Sequence, residues 1–283
     1  MRSCLLVAVL AVLLLALTAN AAQPGGWEQE AGFELLFNQG YYSPNWAGDE
    51  KTSGALTASI GHRAQRQFTG VLRLEHELEL AFGQQLTRNS ATWTASKSED
   101  KLNLDELLRF TLGLWVDPLV LVQARSQFLD GRDPQETQWF NPVQLLEAAG
   151  FGRKFFDDEV RTLTSEFGAA ARQVFDRLDT LTVSDAGLSW TTAYRTRFFS
   201  PNAGYATRLA LYKPLVAFGT DTELGTLPQA DWRHELSARF NKVLSGKVFA
   251  QVLFDDRVDD TPRLKQTLGL GLSLAWPATA EQE

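Results

Sequence analysis

The sequence predicts an all-β fold, a transmembrane antiparallel up-and-down β-barrel of about twelve strands, with ten strands as the alternative count. Three observations support this prediction. Eleven or twelve stretches alternate apolar and polar residues, the connectors between them alternate between long and short, and the final stretch ends on an aromatic residue. Barrels of bacterial outer membranes combine an even strand number with short periplasmic turns and long outer loops. We therefore expect both chain ends on the periplasmic side.

The first residues have the pattern of a secretory signal peptide. Arg2 supplies a positive charge, residues 5–17 form an almost unbroken apolar run, and Ala19-Asn20-Ala21 has small residues where cleavage occurs. The apolar run is shorter than the roughly 20 residues of a spanning helix. The sequence thus predicts a signal peptide over 1–21, a short periplasmic segment over 22–30, an outer-membrane barrel over 31–276 and a polar tail over 277–283.

Composition narrows the function classes. The net charge of -7 argues against a nucleic-acid partner. The single cysteine, Cys4, falls within the predicted signal peptide, so we expect neither a disulfide nor a cysteine metal site in the exported chain. No linker-like composition divides the chain, which indicates one domain. The sequence suggests no cofactor and no metal.

The clearest strand lies within residues 68–82. Its leucines fall on one face and its charged residues on the other, which is the period of two that defines a strand with one apolar face. The same alternation recurs around 102–116, 162–172, 185–197 and 231–240. It is weakest at 119–128 and 143–156, and the first strand, at about 31–38, is short.

The connectors set the expected ends of the strands. The predicted short breaks are 63–67, 117–118, 157–158, 199–202 and 243–246. The predicted long connectors are 39–53, 83–100, 129–142, 175–183, 217–230 and 255–262. Aromatic residues in the long connectors, such as Trp139 and Phe140, either bind sugars or a partner, or pack as the cores of their loops.

The last strand, 264–276, resembles the signal by which outer-membrane proteins are recognised for insertion. Leu272, Leu274 and Trp276 end its apolar face. This resemblance implies the barrel-assembly machinery as a partner during insertion and outer-membrane lipids afterwards. A soluble β-sandwich or lipocalin-like barrel is the alternative, and it would turn its apolar faces inward.

A short element before the first long strand is distinctive in sequence. Asn45-Trp46-Ala47-Gly48 resembles the N-W-A-G-G-like element of an uncharacterised outer-membrane barrel family typical of Bacteroidetes-like bacteria, with Asp49 in place of the second glycine. The resemblance implies the barrel fold and an outer-membrane location. That family has no established activity to carry over.

Two features are weighed as sites of other chemistry. His234 is the one candidate for a lipid-modifying enzyme at the membrane boundary, but no serine-hydrolase or metalloprotease motif accompanies it, so we expect no enzyme. The acidic run at 255–260 either binds calcium or forms a solvated loop, and Arg257 within it favours the loop.

The charged faces of the strands carry the functional prediction. If they face inward, early strands contribute mostly acids and later strands mostly bases to opposing walls of the lumen. The candidate lumen residues are Arg73, Glu75, Glu77, Glu79, Asp105, Arg109, Arg195, Arg197, Arg208, Arg233, Arg239, Lys247 and Lys265. We expect a narrow channel or transporter for small polar or charged solutes. The alternative is a structural barrel whose lumen is plugged by these charges and whose outer loops bind a partner or glycan.

Overall fold

The computed structural model describes residues 26–45, 53–89, 92–132, 137–178, 182–198, 200, 202–218, 224 and 227–276 of the 283-residue chain. Within these ranges the secondary structure consists of β-strands. They are β1 Glu28–Tyr42, β2 Ser53–Gln67, β3 Leu72–Asn89, β4 Thr92–Phe110, β5 Asp117–Ser126, β6 Leu129–Asp130, β7 Gln138–Trp139, β8 Val143–Asp157, β9 Arg161–Phe175, β10 Thr182–Arg197, β11 Ala203–Phe218, β12 Gln229–Arg239, β13 Leu244–Asp255 and β14 Asp259–Trp276.

Twelve of these strands close into one antiparallel barrel. The order around the ring follows the chain, from β1 to β5 and then from β8 to β14, and β14 returns to β1. The closing ladder is long, since it runs from Ala31 paired with Trp276 to Tyr42 paired with Lys265. The small strands β6 and β7 pair only with each other, in the loop between β5 and β8. The predicted all-β barrel of twelve strands is confirmed.

Every predicted short break corresponds to a turn, but the turns are shifted along the chain. They lie at 68–71, 111–116 and 158–160, between β10 and β11, and at 240–243. Phe68, which we expected at the start of a strand, therefore lies in a turn, as do Leu112, Leu114 and Val116. Apolar residues at the membrane boundary continue the alternating pattern beyond the last backbone pair, and this hides the strand end.

Two predicted long connectors are wrong. Residues 83–89 and 92–100 continue β3 and β4 as one long hairpin, and residues 259–262 belong to β14, with a turn at 256–258. Both stretches are polar because they extend past the membrane into water, where both faces of a hairpin are solvated. The polar composition of these residues therefore led to the prediction of loops, although their backbones remain paired as strands.

The start of the barrel also differs from the prediction. β1 begins at Glu28, and residues 28–30 pair with 63–65 of β2. These residues were expected in a separate periplasmic segment. Glu28 and Glu30 instead face the lumen, as Glu34 does, so their charge is compatible with a strand. The signal peptide and the tail 277–283 lie outside the described residues.

The outer face of the barrel is apolar, and this makes it a membrane protein. Large apolar side chains point away from the lumen and are about half exposed, among them Phe37, Phe151, Phe167, Leu268 and Trp276. A water-soluble barrel would expose charged residues there, so the soluble alternative is wrong. A closed β-barrel with an apolar outer band is the architecture of outer-membrane proteins, and the chain is an outer-membrane β-barrel whose outer face contacts lipid. Among the described residues, no helix is long and apolar enough to span a membrane.

Candidate functional site

The candidate site is the lumen, which is lined by the charged face of each strand. Because side chains alternate across a strand, the residues two apart from an inward residue also point inward. On β3 these are Arg73, Glu75, Glu77 and Glu79, and their pairing partners on β4 include Arg109 and Asp105. The predicted lumen residues on the later strands occupy the same face of β10 to β14.

Two ion pairs cross the lumen. Arg208 of β11 lies 3.4 Å from Asp105 of β4, and Arg195 of β10 lies 3.5 Å from Glu77 of β3. Each pair joins strands five places apart around the twelve-strand ring, so both come close to spanning its diameter. We call these four residues the central layer. The early acids and the later bases thus meet in the middle of the lumen.

The side chains of the central layer are accessible to solvent. The side chains of Arg195 and Glu77 are 48% and 36% exposed, and those of Arg208 and Asp105 are 34% and 15% exposed. Ion pairs this accessible are screened by water and exchange partners readily. The layer therefore narrows the lumen without forming a dry core.

On the extracellular side of this layer lies a chamber lined by three lysines and four glutamates. Lys101 pairs with Glu79, Lys247 lies 2.7 Å from Glu34 and 3.3 Å from Glu235, and Lys265 pairs with Glu99. The chamber encloses a cavity of about 120 Å³, which has room for several water molecules. Lys101 and Lys247 pair with carboxylates on strands at most two places away, whereas Lys265 and Glu99 join strands four places apart.

On the periplasmic side, three cations share one carboxylate. Oε1 of Glu75 lies 3.3 Å from Arg73, 3.6 Å from Arg109 and 3.3 Å from Lys154. Arg109 also donates to Glu166, at 2.7 Å. Arg197 and Arg239 are the last residues of β10 and β12, so they lie at the periplasmic rim.

Several charged groups that complete these clusters were not among the predicted lumen residues. The missed residues are Glu34, Arg63, Glu99, Lys101, Arg125, Lys154, Glu166, Asp231 and Glu235. Arg63 contacts Glu77 at 2.9 Å, and Arg233 pairs with Asp231 on its own strand. The separation into an acidic and a basic wall is therefore incomplete. The alternation that identified the other lumen residues could have found these, since each lies an even number of positions from another inward residue.

Outside the lumen, the loop between β5 and β8 has a polar core. Asp130 and Asn141 are almost fully buried; Arg132 donates to Asp130 and Asp176, and Asn141 also donates to both. Burial alone would raise the pKa of Asp130 and Asp176, but these hydrogen bonds outweigh it and lower both pKa values. The rings of Phe128 and Trp139 each lie within 6.4 Å of Phe140, so these aromatic residues pack within the loop.

The distinctive element is described only at its first residue. The Asn45 side chain donates to the Thr261 hydroxyl at 2.8 Å and accepts from Ser43 at 2.7 Å, which ties the end of β1 to β14. Trp46, Ala47 and Gly48 lie outside the described residues. At the other end of the same seam, Leu272, Leu274 and Trp276 point outward on β14.

The sites weighed for other chemistry have different surroundings. His234 lies on the outer face, where Nδ1 is 2.8 Å from the Tyr205 hydroxyl and the ring is 4.5 Å from that of Trp232. In the acidic run, Arg257 donates to Asp255 at 3.1 Å, and Asp259 accepts from Thr261. These contacts describe an interfacial histidine and a hydrogen-bonded turn. Among the described residues, no group of three or more metal-binding side chains is assembled.

Comparison with known proteins gives one partial family match. A family of proteins of unknown function, DUF3078, matches residues 37–131, about a third of the chain. No curated protein sequence matches significantly.

Several solved structures have a similar overall arrangement at low identity. An outer-membrane channel from Pseudomonas putida F1 has 14% identity and a TM-score of 0.46, with 92% of this chain and 98% of that chain covered. The NanC porin has 10% identity and a TM-score of 0.42, with 84% and 98% covered. The translocator domain of the autotransporter NalP from Neisseria meningitidis has 10% identity and a TM-score of 0.36, with 96% and 95% covered.

Proposed function

We propose that this barrel is a narrow outer-membrane channel for small polar or charged solutes, constricted by the ion pairs of the central layer. The observation that carries the proposal is the exposure of those pairs: Arg195 and Glu77 cross the lumen, yet they are 48% and 36% exposed. Water that reaches both partners provides a path along which a hydrated ion can exchange with them.

The chamber supports the same function. Its lysines and glutamates line a cavity at the extracellular side of the constriction, so a solute would find both signs of charge before it reaches the central layer. Selectivity in such a pore depends on rings of charged side chains at close range. Reversing the charge of Glu75, Glu77 and Glu79 together should therefore shift ion selectivity towards anions.

The test is conductance of the detergent-folded protein in a planar bilayer, with a salt gradient to measure selectivity. We expect small discrete steps. Insertion is verified by the faster migration of the folded barrel on an unheated gel. Absence of steps from verified, inserted protein would contradict the channel and favour the structural barrel with a plugged lumen, whose outer loops would then be trimmed in binding assays.

A further inference from the structure

A second cavity lies at the periplasmic mouth of the barrel, apart from the central layer and the chamber. Its volume is about 370 Å³, and it opens between β3, β4, the turn 111–116, β5 and β8. Four cations line it, Arg73, Arg109, Arg153 and Lys154, together with two acids, Asp117 and Asp157.

Arg109 is the most informative residue of this cavity. Its side chain is 1% exposed, and within the described part of the chain its Nη1 has no hydrogen-bond partner, although Nη2 donates to Glu166. A buried donor without an acceptor is destabilising, and it is more so when it carries charge. A ligand oxygen in the cavity would supply the missing acceptor.

The ion pairs around the cavity are long. Arg73, Arg109 and Lys154 share Oε1 of Glu75 at 3.3 to 3.6 Å, distances too long for strong charge-assisted hydrogen bonds. Lys154 also lies 3.5 Å from Asp157, and Arg73 also donates to Gln65. Gly152 makes room for the Arg109 guanidinium, since a Cβ there would lie 2.9 Å from Nη1. This arrangement suits the several oxygens of a phosphate or carboxylate group.

The turn beside the cavity is apolar and exposed. Trp115 is 74% exposed and Leu114 is 64% exposed, and both line the cavity. The guanidinium of Arg153 lies 4.6 Å from the centre of the Trp115 ring. The indole ring beside this cation offers an apolar surface next to the cationic cluster.

We propose that this periplasmic cavity binds an anionic amphiphile, with its phosphate or carboxylate group at Arg73, Arg109 and Lys154 and its apolar chain on Leu114 and Trp115. The inference does not depend on the channel, because it requires binding and not conduction. A membrane lipid of the periplasmic leaflet and a soluble amphiphile share this chemistry.

The test is native mass spectrometry of the folded barrel in detergent, titrated with three probes. Lysophosphatidic acid carries both features, lysophosphatidylcholine has the same chain but a zwitterionic headgroup, and glycerol 3-phosphate has the phosphate without the chain. We expect one lysophosphatidic acid bound per barrel, about tenfold more tightly than either other probe. Equal retention of either other probe would overturn the proposal.

Variants separate the site from general lipid adhesion. Arg73→Gln and Trp115→Ala, which leave the buried Arg109 in place, should each weaken lysophosphatidic acid binding about fivefold. Arg161→Gln is the matched control, because Arg161 also stacks on a rim aromatic, Phe156 at 4.4 Å, but does not line the cavity. An equal loss in all three variants would contradict a specific site.

The same titration, repeated after delipidation, distinguishes the source of the ligand. A co-purified phospholipid that is lost on delipidation and competes with the probe identifies a membrane lipid. Absence of such a phospholipid identifies a soluble amphiphile, and both results uphold the site.

Discussion

The central layer and the chamber use the same charges in different geometries. In the central layer, arginines on β10 and β11 reach carboxylates five strands away. In the chamber, Lys101 and Lys247 pair with carboxylates on nearby strands, which leaves a cavity between the walls. The long planar guanidinium can span the lumen and still hold a carboxylate, whereas Lys101 and Lys247 stay close to their own wall and Lys265 reaches Glu99 four strands away. Whether a lumen is open therefore depends less on the number of its charges than on how far apart the strands are that those charges connect.

The largest effect is expected from removing both cross-lumen arginines. Arg195→Ala with Arg208→Ala should widen the constriction and remove one of the two cations beside each of Glu77 and Asp105, which keep Arg63 and Arg125, so single-channel conductance should rise about twofold or more and selectivity should shift towards cations. Planar-bilayer recording measures both. Arg161→Gln, at the periplasmic rim, should leave both unchanged. Unaltered conductance in the double variant would show that the constriction lies elsewhere.

Charge changes in the chamber should alter selectivity more than conductance, because a cavity already separates the walls there. Lys247→Gln should raise the permeability of cations relative to anions by roughly twofold, and Glu79→Gln should act in the opposite direction by a similar factor. Reversal potentials in a salt gradient measure this. Lys242→Gln, in the turn 240–243, is the control. A large change in conductance from either chamber variant would contradict the distinction between the two levels.

The loop between β5 and β8 also contains arginine–carboxylate pairs, but these lie outside the lumen. Removing them should therefore change the stability of the loop and leave conductance unchanged. The pKa values of Asp130 and Asp176 are lower in the folded loop, so their contribution is complete above the ordinary aspartate pKa near 4 and is lost as pH falls through the lowered values. Protection factors for amide hydrogen exchange over 127–132 and 137–142 should therefore be high at neutral pH and fall below about pH 4. Asp130→Asn should lower these protection factors at neutral pH as well. A loop whose protection is independent of pH would rule out this role for the two carboxylates.

The smallest effect is expected at the seam between β1 and β14. Asn45→Ala removes the hydrogen bond to Thr261, which is exposed, so the barrel should lose only about 0.5–1.5 kcal/mol of stability. Thermal unfolding followed by gel mobility would detect this as a modest fall in Tm, while conductance should not change. A failure to fold would give this residue a larger role than its contacts indicate.

The sequence predicted the barrel because a membrane demands alternation over long stretches. Each strand must present lipid with an apolar face, as Leu268, Leu270 and Leu272 do on β14, and this constraint is visible residue by residue. The strand ends were less predictable. Beyond the bilayer both faces of the β3–β4 hairpin meet water, so nothing in the pattern separates a paired strand from a loop.

The site was predictable only as a set of inward charges. Alternation indicates that Asp105 and Arg208 share the lumen face, but the partner of each depends on strand stagger across the ring, which no local pattern contains. The periplasmic cavity is less visible still. Arg109 looks like any other lumen arginine, and its unsatisfied Nη1 depends on the bulge of β8 between Lys154 and Phe156 and on the space at Gly152.

The most direct test of a hydrated path through the central layer uses cysteine accessibility. The only natural cysteine is Cys4, in the predicted signal peptide, so new thiols are unambiguous. Arg208→Cys places a thiol in the layer, and Thr207→Cys, one residue away on the lipid-facing side, is its matched control. We predict that a charged methanethiosulfonate reagent reduces the current through the Arg208→Cys protein and leaves that through Thr207→Cys unchanged. Channels that conduct but remain unmodified at position 208 would contradict a path through this layer.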